Sequence, residues 1–234
     1  MKIALVTGGT GKIGKEIIRH LIDEDYKVVA TFHKSFNEVE NIKSSINQSK
    51  NNLLFFQCDL REIKNIEYLY QQFKSNFTSL DLLINCAGIF LKNEFNNTTE
   101  EEFDSVMNIN LKSNYFLIQK FFDLMTENSV VINFSSVGGI IPWRNRSLYH
   151  ISKAGVIALT RSLALELAPK TRVVSIAPGF IESETKTDEK MPLSKIPLGR
   201  YGSIKDIIQT IDFIIKNDYI TGLTIPVDGG RTLI

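Results

Sequence analysis

Tyr149 and Lys153 stand four apart in Tyr149-His150-Ile151-Ser152-Lys153, so a helix across this stretch places both on one face. A tyrosine titrates near ~10, too high for efficient proton exchange at neutral pH, and a nearby ammonium favours the phenolate. The pair suits a tuned general acid/base. The same spacing also fits a packed aromatic beside a snorkelling lysine, so the chemical reading depends on the company it keeps. Asn133-Phe134-Ser135-Ser136 supplies that company. It ends an apolar, β-branched run, and in an open parallel sheet ligands bind outside the carboxyl ends of strands, which aims Ser136 at the mouth of a site.

A second group of residues could hold an anion. Thr7-Gly8-Gly9-Thr10-Gly11-Lys12-Ile13-Gly14 follows the first apolar run and opens a helix. Glycine permits a tight turn and close approach to a pyrophosphate, and the helix start supplies free N–H groups and a positive dipole end. Gly8, Thr10, Gly11, Lys12, Ile13 and Gly14 are therefore candidate dinucleotide contacts. Asn85-Cys86-Ala87-Gly88 closes another strand with small residues against which a cofactor can lie, adding Asn85, Ala87 and Gly88. NAD(H) sites usually carry an Asp or Glu at the end of the second strand. Here that end reads Thr31-Phe32-His33-Lys34-Ser35, without a carboxylate. Lys34, Lys12 and the Ser35 hydroxyl, with His33 in the same segment, suit a 2′-phosphate, so the expected cofactor is NADP(H) before NAD(H).

The elements that must position these groups are legible as alternating patterns. Apolar runs at Ile3-Val6, Lys27-Phe32, Leu53-Gln57, Leu80-Asn85, Val130-Phe134, Arg172-Ile176 and Leu223-Val227 read as strands. Helical spacing covers roughly Ile13-Ile22, Phe36-Ile46, Ile63-Phe77, Thr99-Met125, Tyr149-Leu167 and Ile204-Ile215. Strands that are apolar on every residue need helices on both faces. The expected fold is an α/β, Rossmann-type doubly wound, mostly parallel seven-stranded sheet forming one domain over residues 1–234. The polar stretch Ile181-Gly202, with Pro192 and Pro197, breaks the rhythm and is a candidate substrate lid.

Bulk composition agrees with a globular enzyme: 234 residues, 43% hydrophobic, 23% charged, net charge +1. The charges do not gather into blocks, so neither nucleic acid nor membrane is an expected partner. Two cysteines, no signal-peptide pattern and no long apolar run point to a reduced, cytoplasmic setting. His20, His33 and His150 are scattered without metal-ligand spacing, so no metal is expected.

These motifs, in this order and over essentially the whole chain, resemble the short-chain dehydrogenase/reductase family. The resemblance adds Asp59 and Leu60, in Cys58-Asp59-Leu60, as the adenine-contacting segment. It also adds Asn110 in Asn108-Ile109-Asn110-Leu111, Pro178-Gly179, and Ile220-Thr221-Gly222 leading to Val227-Asp228-Gly229-Gly230. It implies hydride transfer from nicotinamide to a carbonyl carbon, with Tyr149 donating the proton and Ser136 hydrogen-bonding the oxygen. Lys153 would lower the Tyr149 pKa and hold the nicotinamide ribose, and Asn110 would position a relay water. A homodimer or homotetramer built across the helices carrying Asn110 and Tyr149 is implied too.

Lys12 stands where the family's cofactor loop commonly has glycine. Pteridine reductases are basic there, and Phe32-His33-Lys34-Ser35 and the Leu167-to-Val173 turn also look like theirs. They have aspartate where this chain has Ser136. Ser136, Asn110, Pro178-Gly179-Phe180-Ile181-Glu182 and Pro197-Leu198-Gly199-Arg200 look like 3-oxoacyl-acyl-carrier-protein reductases, so a 3-oxoacyl thioester or small ketone is the expected substrate and a pterin the alternative. A nucleotide-binding regulator without turnover is the reading of another class. Trp143, Arg144 and Arg146, between Ser136 and Tyr149, would suit an anionic or phosphopantetheine-bearing substrate.

Overall fold

A computed structural model describes residues 1–46, 52–182 and 191–234 of the chain. In chain order the main elements are β1 (Ile3–Val6), α1 (Lys12–Asp23), β2 (Lys27–Phe32), α2 (Phe36–Ser45), β3 (Leu53–Gln57), α3 (Ile63–Lys74) and β4 (Leu80–Asn85). There follow α4 (Glu100–Met107), α5 (Ser113–Phe121), β5 (Met125–Phe134), α6 (Ser147–Leu167), β6 (Thr171–Pro178), α7 (Ile204–Lys216) and β7 (Thr224–Val227). The strands form one seven-stranded sheet in the order β3-β2-β1-β4-β5-β6-β7, and every pairing is parallel. After β3 the chain returns to the other side of β1, which opens a crevice between the carboxyl ends of β1 and β4.

Alternate strand residues feed two separate cores. Ala4, Val6, Leu82, Ile84 and Ile132 pack on one face with Ile17, Ile18 and Leu21 of α1 and Ile207 and Ile211 of α7. Leu5, Val29, Leu83, Val131 and Val173 pack on the other with α3, α5 and α6 through Leu69, Phe73, Leu117, Phe121 and Leu163. Interior strands are apolar on successive residues because both faces are covered. β3 lies at the sheet edge, and its Leu54 is exposed. Among the described residues no helix is long and apolar enough to cross a membrane.

The helix expected over Thr99-Met125 runs without a gap from Glu100 to Leu124, but its middle is a π-helical turn. A Thr99/Glu102 capping box starts α4, a π-helical turn at Asn108–Lys112 separates it from α5, and β5 begins at Met125, five residues before the expected Val130. The π turn has a tertiary partner. Asn110 accepts from Ile89 N at 2.8 Å and donates to Ile89 O at 3.0 Å, so a side chain in the helix clamps the loop after β4. Met125 pairs with Leu80 through a register shift, which extends β5 below its apolar run.

Of the expected lid, residues 183–190 lie outside the described residues. Its two ends meet: Ile181 and Gly202 form a parallel bridge, and Glu182 N donates to Gly202 O at 2.7 Å. Ser203 and Asp206 then form the capping box that starts α7.

Candidate active site

At the carboxyl ends of β1 and β4 lies a cleft of about 430 Å³. Its floor is the glycine loop. Gly8 has φ +67°, and a Cβ there would stand 2.9 Å from Ala87 Cα. At Gly14 a Cβ would meet Gly8 O at 2.3 Å, so loop and helix approach closely only because both residues are glycine. Thr31 Oγ1 accepts from Gly8 N at 3.3 Å, and Thr7 Oγ1 from Ala87 N at 3.1 Å. No side chain caps α1 and its first turn holds no carboxylate, so the positive end of the helix is offset by none of its own residues where it meets the cleft. The donor set and the cradle fit a dinucleotide diphosphate. Lys12, at the rim, donates to Glu182 O.

The other end of the cleft has a mixed charge. Arg61 forks onto Asp59 with Nε at 3.0 Å from Oδ1 and Nη2 at 2.6 Å from Oδ2, and His33 Nε2 lies 3.4 Å from Oδ2. The Arg61 hydrogen bonds hold the Asp59 carboxyl down at about 2, against a partial desolvation that opposes them. The carboxylate is thus already engaged by two nitrogen side chains. Arg61 was not singled out from the sequence, although its place two residues after Asp59 was a signal.

Of the expected nucleotide contacts, Gly8, Thr10, Gly11, Lys12, Ile13 and Gly14 line the cleft. So do His33, Ser35, Asp59, Leu60, Ala87 and Gly88. Lys34 does not, although both of its neighbours do. The Asn85 side chain is buried in the sheet, donating to Asn133 Oδ1 at 2.9 Å, and so ties β4 to β5 rather than facing the cleft. Pro178 and Gly179 sit at the end of β6, where Gly179 N donates to Val227 O at 2.9 Å. Thr31, Cys58, Cys86, Ile89 and Ile109 also line the cleft, which only the packing reveals.

The expected chemical group assembles beside this cleft. Ser136, two residues beyond β5 and in extended backbone, caps the short turn Val137–Gly139, its Oγ accepting from Gly138 N at 3.0 Å. The Tyr149 ring and the Ser136 hydroxyl meet over Gly138, where a Cβ would stand 3.0 Å from Tyr149 Cε1 and 3.3 Å from Ser136 Oγ. Phe90 meets the Tyr149 ring edge-on at 4.8 Å between centroids. Burial pushes the Tyr149 phenol up from its usual range, and the Ser136 hydrogen bond opposes that rise.

Lys153 is almost fully buried and donates to Phe134 O at 2.8 Å, with Nζ 5.9 Å from the Tyr149 ring centroid. Burial pulls its pKa down to about 8. Here the opposing pull on the tyrosine comes from Ser136, not from the ammonium that the four-residue spacing suggested. The reason is that the Lys153 head is turned toward a backbone carbonyl. Asn110 Nδ2 donates to Ser152 Oγ at 3.0 Å and Ser152 Oγ donates to Tyr149 O at 2.8 Å, so Asn110 reaches the helix that carries Tyr149. Ser152 too was missed, though it sits one helical turn after Tyr149.

Around the mouth, Trp143 stacks on Phe180 at 5.5 Å and Arg146 lies over the Phe90 ring at 4.9 Å, while Arg144 is exposed. The histidines have separate surroundings: His20 meets Asp212, His33 meets Asp59 and His150 meets Gly138 O. Among the described residues no group of three His, Cys, Asp or Glu is placed to hold a metal.

Comparison with known proteins gives a consistent picture. The family model for short chain dehydrogenases matches residues 2–192. The 3-oxoacyl-(acyl-carrier-protein) reductase of Staphylococcus aureus is 36% identical over 98% of this chain and 97% of that protein. The enzyme of the same name from Haemophilus influenzae is 35% identical over 99% and 98%. A short-chain dehydrogenase/reductase from Serratia marcescens superposes with a TM-score of 0.92 at 25% identity, covering 99% of this chain and 98% of that one. A blue fluorescent protein from a metagenomic library, solved in complex with NADPH, gives 0.91 at 25% identity over 98% and 97%.

Proposed function

Because this chain belongs to the short-chain dehydrogenase/reductase family, and is thereby an oxidoreductase, we propose that it is an NADP(H)-dependent reductase of a 3-oxoacyl thioester or related small ketone. The observation that carries this reading is the convergence of Ser136 and Tyr149 on Gly138 just beyond β5, beside a glycine cradle at the sheet's switch point. Bound in that cradle, NADPH would supply hydride to the carbonyl carbon. The 2′-phosphate is favoured because no carboxylate ends β2 and Asp59, the one carboxylate among the described residues that line the cleft, is engaged by Arg61 and His33. The neighbour solved with NADPH supports the same cofactor.

The chain's own groups then divide the work. Tyr149 Oη donates the proton to the carbonyl oxygen, and the raised phenol pKa keeps that proton in place until negative charge develops on the oxygen. Ser136 Oγ, with one lone pair taken by Gly138 N–H, turns its hydrogen toward the same oxygen. Lys153, poised at about 8 and anchored on Phe134 O, would hold the nicotinamide ribose hydroxyls. Asn110 spends both amide hydrogens and one Oδ1 lone pair on Ile89 and Ser152, which leaves one lone pair for a relay water.

The curated relatives support a thioester substrate, and Ser136 in place of a carboxyl favours a simple ketone over a pterin. A homodimer or homotetramer is part of this reading, supported by the exposed Phe103 on α4 and Tyr115 on α5. The test is NADPH consumption with acetoacetyl thioester and, separately, dihydrobiopterin, with NADH as control. Turnover of the thioester, lost in Tyr149→Phe while NADPH still binds, is the expected result. Turnover of the pterin alone would overrule Ser136 as the guide to substrate, and an unimpaired Tyr149→Phe would refute the mechanism.

A further inference from the structure

Resting on the roles proposed for Ser136 and Tyr149, we infer that His150 is a positioning residue for that proton-transfer pair, acting through the carbonyl of Gly138. His150 follows Tyr149 on α6 and reaches back to the short turn after β5, where Nδ1 lies 2.7 Å from Gly138 O. A carbonyl oxygen only accepts, so Nδ1 carries the hydrogen. The neutral Nδ1–H tautomer and the imidazolium both offer that hydrogen.

The held peptide is the one on which the site is built. Gly138 N–H donates to Ser136 Oγ at 3.0 Å, and Gly139 N–H donates to Ser136 O at 2.9 Å. The Gly138–Gly139 peptide thus accepts from His150 at one end and donates to the Ser136 main-chain carbonyl at the other, while the adjoining Val137–Gly138 peptide donates to the Ser136 hydroxyl. There is no slack above it. A Cβ on Gly138 would stand 3.0 Å from Tyr149 Cε1 and 3.3 Å from Ser136 Oγ, so the tyrosine ring rests on this residue. Any shift of the turn moves the Ser136 hydroxyl relative to Tyr149, and hydrogen bonds fall off steeply with distance and angle. Gly138 is buried, so without the imidazole its carbonyl lacks this donor in a place water does not readily reach.

His150→Phe removes the donor and keeps a ring, whereas His150→Asn puts an amide N–H the same number of bonds from Cα as Nδ1. Nitrogen-detected NMR of the nucleotide-free protein, with the resonance assigned by its loss in His150→Asn, should show a protonated Nδ1. With acetoacetyl thioester, His150→Phe should lower kcat about tenfold, the worth of one lost hydrogen bond, with KM and NADPH affinity within about twofold. The alkaline limb assigned to Tyr149 should move up in pH, because the Ser136 bond that opposes its rise is loosened. His150→Asn should recover to within about twofold. A neutral ring protonated only on Nε2, an unchanged kcat and profile in His150→Phe, or a folded His150→Asn as slow as His150→Phe would each overturn the inference. Ser136→Ala separates the levels: if it is slow and His150→Phe is not, only this inference falls, and if Ser136→Ala is itself unimpaired, the proposed mechanism falls with it.

Discussion

Replacing Lys153 by Met should stabilise the nucleotide-free protein at neutral pH while abolishing turnover. Lys153 is 4% exposed, and desolvation lowers its pKa from 10.5 to about 8. Below about 8 the lysine is charged in both folded and unfolded chains, and the folded state carries the full cost of burying it, on the order of 3 kcal/mol. Between about 8 and 10.5 the unfolded chain holds the extra proton, so stability contributed by this site rises with pH. Methionine keeps the length and removes the charge, but it leaves Phe134 O without its donor, which costs about 1–2 kcal/mol. The variant should therefore be more stable than wild type by about 1–2 kcal/mol at pH 7. That advantage should shrink by about 2 kcal/mol between pH 8 and 10, reaching parity or reversing, because titrations shared by both proteins cancel in the difference. Urea unfolding of both proteins across this range is the assay. A stability difference independent of pH, or a variant less stable at pH 7, would refute the account of Lys153 as a cation held at a cost for chemistry.

Three further outcomes follow from the geometry. Gly14→Ala places a methyl 2.3 Å from Gly8 O, backbone against helix, and should cost about a hundredfold in NADPH affinity by fluorescence titration; unchanged binding would show that the cradle is not the nucleotide site. His33→Ala should erode the preference for NADPH over NADH about tenfold and Lys34→Ala less than about threefold, since only His33 lines the cleft; the opposite ranking would make Lys34 the phosphate ligand. Asp206→Ala removes the α7 capping box and the Arg200 fork at 2.9 and 3.0 Å, and should cost about 1–2 kcal/mol in urea at pH 7. Those partners hold the Asp206 carboxyl well below the usual carboxylate range, so its stabilisation is present above about pH 4 and the gap to wild type should close as pH falls below that.

Much of the fold was legible because the sheet is buried on both sides. Six of the seven strands begin within a residue of the apolar runs that announced them, and α1, α3 and α7 follow the spacing of Ile17-Leu21, Ile66-Tyr70 and Ile207-Ile211. The helix over Thr99-Met125 was legible as a whole, but its π turn was not, because hydrophobic spacing runs through Asn108–Lys112 without a break. The turn lies where Asn110 clamps Ile89, a partner 21 residues away that periodicity does not encode.

The sequence by itself determined the chemistry available: a tyrosine and lysine on one helical face, a serine at a strand end, and glycines where a strand meets a helix. These are local facts, set by period, backbone sterics and side-chain type. Only the tertiary structure decided how those groups are tuned. It turned Lys153 toward Phe134 O, brought Tyr149 and Ser136 together over Gly138, sent the Asn85 side chain into the sheet, and closed Arg61 over Asp59. Desolvation and hydrogen bonding depend on atoms brought together from distant strands, and their energies exist only once the chain has closed around them.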